Sequence, residues 1–311
     1  MKNVILFPGT DAVENPLFRA QALSIKGVKE LVIKTEEIIQ DLFGERIELL
    51  PYMKSANDPS VRGFRKLLFC SLATQVAIYN NYTAINGKPD SIIGLSLGDV
   101  PRSVVSGLVS YEEGVRNLYL FASMYALAEP GLCVHLKLDQ PFDYMKETLK
   151  LKEYGISKSV IQNESFGLVA GPMDNMKYWL SMVAMKEDLK YRIMYPFPLH
   201  TNLMKPVADK LRPFIEKACR IEEKHTDIFS TVYGRMLTTK EDIINDCTLN
   251  IAEALDFPFA INALINHYDK EEINFVNIGP SNSLVKFLNH MNIETNYYIT
   301  DWYERILMKA A

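Results

Sequence analysis

Residues 91–100 read Ser-Ile-Ile-Gly-Leu-Ser-Leu-Gly-Asp-Val, and the organisation of the chain follows from how this stretch must bend. A β-branched apolar run enters Gly94-Leu95-Ser96-Leu97-Gly98 and a helical pattern leaves it, so a G-x-S-x-G spacing lies between a strand and a helix. A serine on so sharp a turn takes strained dihedrals. Glycines two residues to either side let the flanking backbone pass without a Cβ collision. The bend exposes the Ser96 hydroxyl above the sheet edge. It also aims the free N–H groups of the helix opened by Leu97 at any negative charge forming on a bound carbonyl. Ser96 is the candidate nucleophile, and the Leu97 N–H is half of an oxyanion hole. A serine hydroxyl is too weak an acid to attack unaided, so a base has to come from among five histidines.

Outward from this turn, short apolar runs alternate with longer helical patterns. Residues 3–7 and 91–94 read as strands, and 28–43, 64–82, 100–108 and 112–128 as helices. That alternation predicts an α/β fold with a parallel sheet wrapped by helices. At Glu129-Pro130-Gly131 the character changes. The runs CVHLKLD, FDYMKETLKLKEYG and SVIQNESFGLVAG, a helix-like stretch over 173–186 and the run YRIMYPFP predict a β-α-β-α-β insert of about 65 residues. From Met204 the α/β pattern returns, with a strand over 274–278 ended by Gly279-Pro280. The expected organisation is a core of residues 1–130 and 199–311 interrupted by a small subdomain over 131–198. Neither an internal repeat nor a low-complexity tract is visible.

The 311 residues are 48% apolar and 23% charged, which describes a globular chain and excludes a coiled coil or collagen. Thirty-four Lys and Arg against 38 Asp and Glu give a net charge of −4. No broad basic field exists to hold a phosphate backbone, so nucleic acid is not the expected partner. No apolar run approaches the roughly 20 residues that cross a bilayer. The apolar stretch over 4–7 is shorter than the h-region of about 7–15 residues of a signal peptide, so the sequence predicts a buried first strand and a cytoplasmic protein. Cys70, Cys133, Cys219 and Cys247 are widely spaced, without the C-x-x-C pattern of zinc or redox sites, and read as reduced thiols.

Four blocks carry a likeness that reaches beyond the turn. They are FPGT at 7–10, GLSLGD at 94–99, PFPLHTNLMKPVADKL at 196–211 and NIGPSNSLVKFL at 277–288. In order and spacing they make the sequence resemble the malonyl-CoA:acyl-carrier-protein transacylases, a family of free-standing fatty-acid enzymes and polyketide synthase acyltransferase domains. The likeness spans essentially the whole chain. It implies a hydrolase-like parallel-sheet core with a small ferredoxin-like inserted subdomain. It also implies that His200 is the general base, and that the backbone N–H of Thr10 is the second oxyanion donor, at a position where the family usually has Gln. The backbone carbonyl of Ala254, where the family again usually has Gln, is expected to orient the histidine. The implied reaction is ping-pong: an acyl group leaves coenzyme A or an acyl carrier protein, rests on Ser96 as an ester, and is taken up by a carrier's phosphopantetheine thiol. No cofactor or metal is implied, since the substrates carry the phosphopantetheine. His135 lies in an alternating strand pattern, and His225, His267 and His290 lie in polar surroundings, so they compete poorly with His200.

The departures from the family pattern bear on the acyl group. Malonyl-specific relatives carry an arginine whose planar fork pairs with the substrate carboxylate. Counted without gaps from Ser96, that position is Phe121. A carboxylate buried against an aromatic ring without a cation costs several kcal/mol, so the expected acyl group is uncharged, in a pocket formed by Phe121 and Leu95. Leu95 stands where many relatives have His. Arg102 and Arg116 are the nearest alternative cations, with Arg116 rotated off the face of Phe121. Four readings stay open: a trans-acting acyltransferase, a hydrolase that edits stalled acyl carriers, a malonyl transferase using another cation, and a non-catalytic carrier-docking protein. Lys205, Lys210 and Arg212 are candidates for a basic patch that meets an acidic carrier.

Overall fold

A computed structural model describes residues 1–55, 58, 60–140, 149–184, 189–269, 271–291 and 297–310. Among them are ten strands: β1 (Lys2–Phe7), β2 (Ser91–Gly94), β3 (Gly131–Lys137), β4 (Ser157–Ile161), β5 (Phe166–Pro172), β6 (Lys190–Tyr195), β7 (Asp227–Phe229), β8 (Leu255–Asp256), β9 (Ile273–Asn277) and β10 (Tyr297–Asp301). The first five-stranded sheet is parallel throughout, in the order β10-β9-β1-β2-β7. Val4 to Phe7 of β1 are fully buried, because a central strand covered on both faces has no solvent side to make polar. Phe7 is in register with Gly94, so β1 and β2 end at the same sheet edge, where the Leu95 N–H donates to the Phe7 carbonyl at 2.9 Å. The carboxyl ends of adjacent parallel strands are where α/β sheets place their ligands.

The long helix Val61–Asn86 starts where the Ser60 hydroxyl accepts from the Gly63 N–H at 3.1 Å, and stops at Gly87, whose φ is 78°. Residues 67–79 are buried around the whole helix, so this stretch has no solvent face and its few polar side chains, Ser71, Thr74 and Gln75, are enclosed with the apolar ones. Its Gln75 amide donates to the Pro8 carbonyl at 3.0 Å and holds the loop that leaves β1. The helices Asp99–Val105 and Tyr111–Ser123 follow β2. Lys205–Ala218 packs against Tyr111–Ser123 and against Lys240–Ala252.

The second sheet has the order β6-β3-β5-β4-β8. Along β3 the period of two divides the side chains. Leu132, Val134 and Leu136 join Met176 and Trp179 in a core of the subdomain's own, whereas Cys133 belongs to the main core. The expected β-α-β-α-β order needs correction at its middle strand, since SVIQNESFGLVAG folds into the antiparallel hairpin β4–β5. The reason is Asn163, whose Oδ1 accepts from the Ser165 and Phe166 N–H groups at 2.9 and 2.8 Å and closes a turn. The first half of the first expected helix of the insert, residues 142–148, lies outside the described residues, and its second half holds a single short turn of helix over Leu151–Tyr154. The second expected helix runs over Met173–Trp179. One strand of this sheet comes from the core: β8 pairs in parallel with β4, Leu255 beside Val160 and Asp256 beside Ile161. Among the described residues no helix is long and apolar enough to cross a membrane.

Candidate active site

Ser96 has φ +57°, left-handed backbone at a non-glycine residue. Two close approaches hold it there. A Cβ at Gly98 would lie 2.1 Å from the Phe7 carbonyl oxygen, and one at Gly94 would lie 2.6 Å from the Gly98 carbonyl carbon. Only glycine lets the turn fold this tightly onto the end of β1, and the same contact brings the loop carrying Thr10 beside Ser96. The Thr10 hydroxyl is hydrogen-bonded to the Tyr195 hydroxyl, which ties that loop to β6. Ser96, Leu97 and Thr10 all border one cavity.

His200 also has a positive φ, +55°. Its backbone is fixed on both sides: its N–H donates to the Ile251 carbonyl at 3.2 Å, and the Ser159 hydroxyl donates to the Leu199 carbonyl at 2.7 Å. The ring lies with Nε2 2.7 Å from Ser96 Oγ and Nδ1 2.5 Å from the carbonyl oxygen of Asn250. A carbonyl can only accept, so Nδ1 carries the proton and Nε2 offers its lone pair to the Ser96 hydroxyl. The carbonyl expected here was that of Ala254, which instead is exposed beyond the helix end. The correction has a simple cause. Helix Lys240–Ala252 ends at Glu253, and the carbonyls of a last helical turn lack intrahelical partners. Those of Asn250 and Ile251 are free to receive His200.

Burial pulls the His200 imidazole down to about 4, against the opposing effect of the Asn250 carbonyl. The neutral ring is the form that accepts a proton, so base function is lost as pH falls through that value rather than near 6.5. The acid limb of the pH profile for Ser96 acylation is expected at about 4. A limb near 6.5 would contradict this placement of the ring.

Behind the turn lies a buried ionic cluster that the sequence did not reveal. Arg102 is fully buried and pairs with Asp246 at 2.7 Å and Asp99 at 3.1 Å. The Asn250 amide donates to Asp99 Oδ2 at 2.6 Å, and the Ser230 hydroxyl donates to Asp246. Burial pushes the Asp99 carboxyl well above the usual carboxylate range, with Arg102 opposing the shift. The cluster therefore grips the side chain of the residue whose carbonyl meets His200. Its signal in the sequence was faint: Asp99 and Arg102 at i,i+3, and Asp246 and Asn250 at i,i+4 on a helix whose other buried residues include Ile243 and Ile244.

Two cavities flank Ser96. The first has apolar walls that include Leu68, Val100, Leu118, Phe121, Leu211 and Ile215, and about 890 Å³ of atom-free space, part of it open to solvent. Among the described residues no lysine or arginine lines it. Arg102 is held in the ionic cluster, and Arg116 pairs with Glu113 at 2.7 Å. Phe121 meets Tyr125 edge-on at 5.2 Å, and Tyr125 stacks on Phe197 at 4.1 Å. Leu95, expected beside Phe121, instead lines the second cavity. Its extended backbone, φ −109° and ψ 120°, turns consecutive side chains to opposite sides. This second cavity is more polar and lies between the core and the small subdomain, with Thr10, His135, Gln162, Arg192 and Ser283 around it. Within it His135 and Gln162 are hydrogen-bonded at 2.9 Å, and Arg192 pairs with Glu14 at 3.1 Å. His225, His267 and His290 line neither cavity. Lys205 pairs with Asp209 and Arg212 with Glu241 on the surface past His200, where Lys210 is exposed.

No protein-family model matches the chain. Over 231 residues it is 25% identical to the malonyl CoA-acyl carrier protein transacylase of Bacillus subtilis, a match covering 71% of this chain and 70% of that protein. Its fold is similar to that of a loading acyltransferase from the avermectin modular polyketide synthase, at a TM-score of 0.77 and 17% identity over 99% of both chains. It is equally similar, at 0.77 and 16% identity over 100% of this chain and 99% of the other, to a malonyl-transacylase in complex with a type II polyketide synthase acyl-carrier protein. In sequence over most of its length the chain is thus similar to a malonyl CoA-acyl carrier protein transacylase, and over all of it the chain shares the fold of these acyltransferases.

Proposed function

We propose that the protein is a serine acyltransferase that moves an uncharged acyl group from coenzyme A or a carrier protein to the phosphopantetheine thiol of an acyl carrier protein. The observation that carries the reading is the apolar cavity beside Ser96, which Phe121 borders and which, among the described residues, no lysine or arginine lines. Ser96 Oγ attacks the thioester carbonyl carbon while His200 Nε2 takes the hydroxyl proton. The carbonyl electron pair moves to oxygen, which the N–H groups of Leu97 and Thr10 receive. Collapse of this adduct breaks the C–S bond, and the imidazolium returns its proton to the departing sulfur. The carrier thiol then repeats the sequence in reverse, and Ser96 leaves with its proton restored. The imidazolium formed midway sits at the carbonyl end of helix Lys240–Ala252, where the helix dipole favours a positive charge. Both half-reactions exchange one activated ester for another, so the cycle takes no cofactor. The polar second cavity suits the phosphopantetheine arm, and a carrier protein as partner accords with the similar complex.

Intact-mass measurement after incubation with acetyl-, hexanoyl- and malonyl-CoA tests the reading, followed by transfer to a phosphopantetheinylated carrier. Neutral chains are expected on Ser96 and then on the carrier. Ester lost to water faster than to carrier would make the protein a hydrolase instead. Phe121→Arg is expected to raise malonyl loading by about 10-fold or more, because a planar fork then meets the carboxylate. Unchanged selectivity would show that Phe121 does not face the acyl group. A malonyl enzyme of another design would have to use Arg192, the cation at the second cavity. Loss of malonyl loading in Arg192→Ala would identify it.

A further inference from the structure

On helix Tyr111–Ser123 the cavity beside Ser96 is lined by Gly114, Leu118 and Phe121, positions i, i+4 and i+7 of one helix face. Seven residues at a rise of 1.5 Å make that wall about 10 Å long. Its two ends lie in different places. Phe121 is on the side of the oxyanion hole: Tyr125, edge-on to it, stacks on Phe197, and Phe64 meets both Phe197 and Tyr195, whose hydroxyl binds that of Thr10. Gly114 is at the far end, where a Cβ would lie 2.7 Å from Val104, in the last turn of the helix that leads away from Ser96. Ile215 and Val109 border the cavity at this far end too. The Arg220 N–H donates to the Leu108 carbonyl at 2.8 Å, which ties the end of helix Lys205–Ala218, and with it Ile215 in the last turn, to the loop that carries Val109.

An acetyl or malonyl group on Ser96 fills only the near part of such a space. The remaining walls would face a void and lose the dispersion contacts that a close-packed interior supplies. Of the polar side chains beyond Ser96 and His200, the Ser103 hydroxyl donates to the Asp99 carbonyl at 2.8 Å, Asp99 and Asn250 bind each other, and the Asn117 Oδ1 is closed off from the open space. A zigzag of carbons about 1.5 Å apart with angles near 111° advances about 1.25 Å per bond, so a wall of about 10 Å matches about eight bonds. Resting on the reading of this cavity as the acyl site, we propose that the natural donor is an unsubstituted medium-chain acyl thioester of about eight to ten carbons. Its chain lies against Leu118 and Leu211 and ends between Val109, Gly114 and Ile215, which set the length accepted.

The test measures kcat/KM for Ser96 acylation with acetyl-, butanoyl-, octanoyl-, decanoyl-, tetradecanoyl- and malonyl-CoA. Each methylene buried against apolar walls contributes a factor of about four. Octanoyl or decanoyl is therefore expected to exceed butanoyl by about 10²-fold, and tetradecanoyl to fall below both. In Ile215→Trp and Val109→Trp, whose rings fill the far end, the ratio of octanoyl to butanoyl rates is expected to drop by about tenfold or more. Rates that stay level or fall from butanoyl to octanoyl overturn the proposal. So does tetradecanoyl loading faster than octanoyl and decanoyl, or an octanoyl preference that both variants keep. The comparison within the natural protein decides the matter even if the variants fail to fold. Malonyl loading faster than every neutral chain is a separate result and overturns the underlying reading of an uncharged acyl site.

Discussion

Ser96→Ala abolishes the acyl adduct that intact-mass measurement detects on the natural protein, and His200→Ala slows its formation by about 10²–10⁴-fold. The Ser96 hydroxyl at neutral pH is a poor nucleophile, and the 2.7 Å contact with His200 Nε2 is its route for losing a proton. Alanine at position 96 takes on the same left-handed backbone as serine, so the stability of this variant should change little and the loss can be assigned to chemistry. His200→Ala keeps the hydroxyl and the N–H groups of Leu97 and Thr10, so a residual rate above that of water is expected. Rapid-quench mass spectrometry of both variants checks these outcomes. An ester that forms at normal rate in either would remove Ser96 and His200 from the reaction.

The second large effect is on stability. Arg102→Met leaves the buried carboxyls of Asp99 and Asp246 facing each other without their shared cation. Removing one member of a buried ionic group costs about 3–5 kcal/mol, because the remaining charge is stranded away from water. Urea denaturation of Arg102→Met should show a loss of that size. Asp246→Asn, which keeps a hydrogen-bonding oxygen for Arg102 and Ser230, should lose less. If Arg102→Met unfolds at the same urea concentration as the natural protein, the cluster is not holding the ends of these helices together.

The parts of this arrangement that were legible in the sequence are those set by local geometry. The strand, the turn at Ser96 and the following helix obey rules that act over a few residues, and Phe121, reached by counting from Ser96, does border the cavity. The small-subdomain hairpin was missed because Asn163 closes a turn with its side chain inside what otherwise reads as one apolar run. The resemblance pointed to Ala254, whereas the carbonyl that meets His200 is that of Asn250, because a helix that ends at Glu253 leaves the carbonyls of its last turn free. Leu95 was placed on the wrong side of Ser96 because neighbours in extended backbone face apart. The Arg102 cluster unites residues up to 151 positions apart, and only the fold brings them together.

The two-residue strand β8 mechanically couples the two sheets. Its partner β4 also carries Ser159, which grips the Leu199 carbonyl one residue before His200, while β8 itself begins three residues after helix Lys240–Ala252. Any swing of the small sheet away from the core must either break these bonds or drag along both the strap bearing the imidazole and the helix end that braces it. Widening the entrance for a bulky carrier and keeping the base aligned are therefore opposing demands on one short tether.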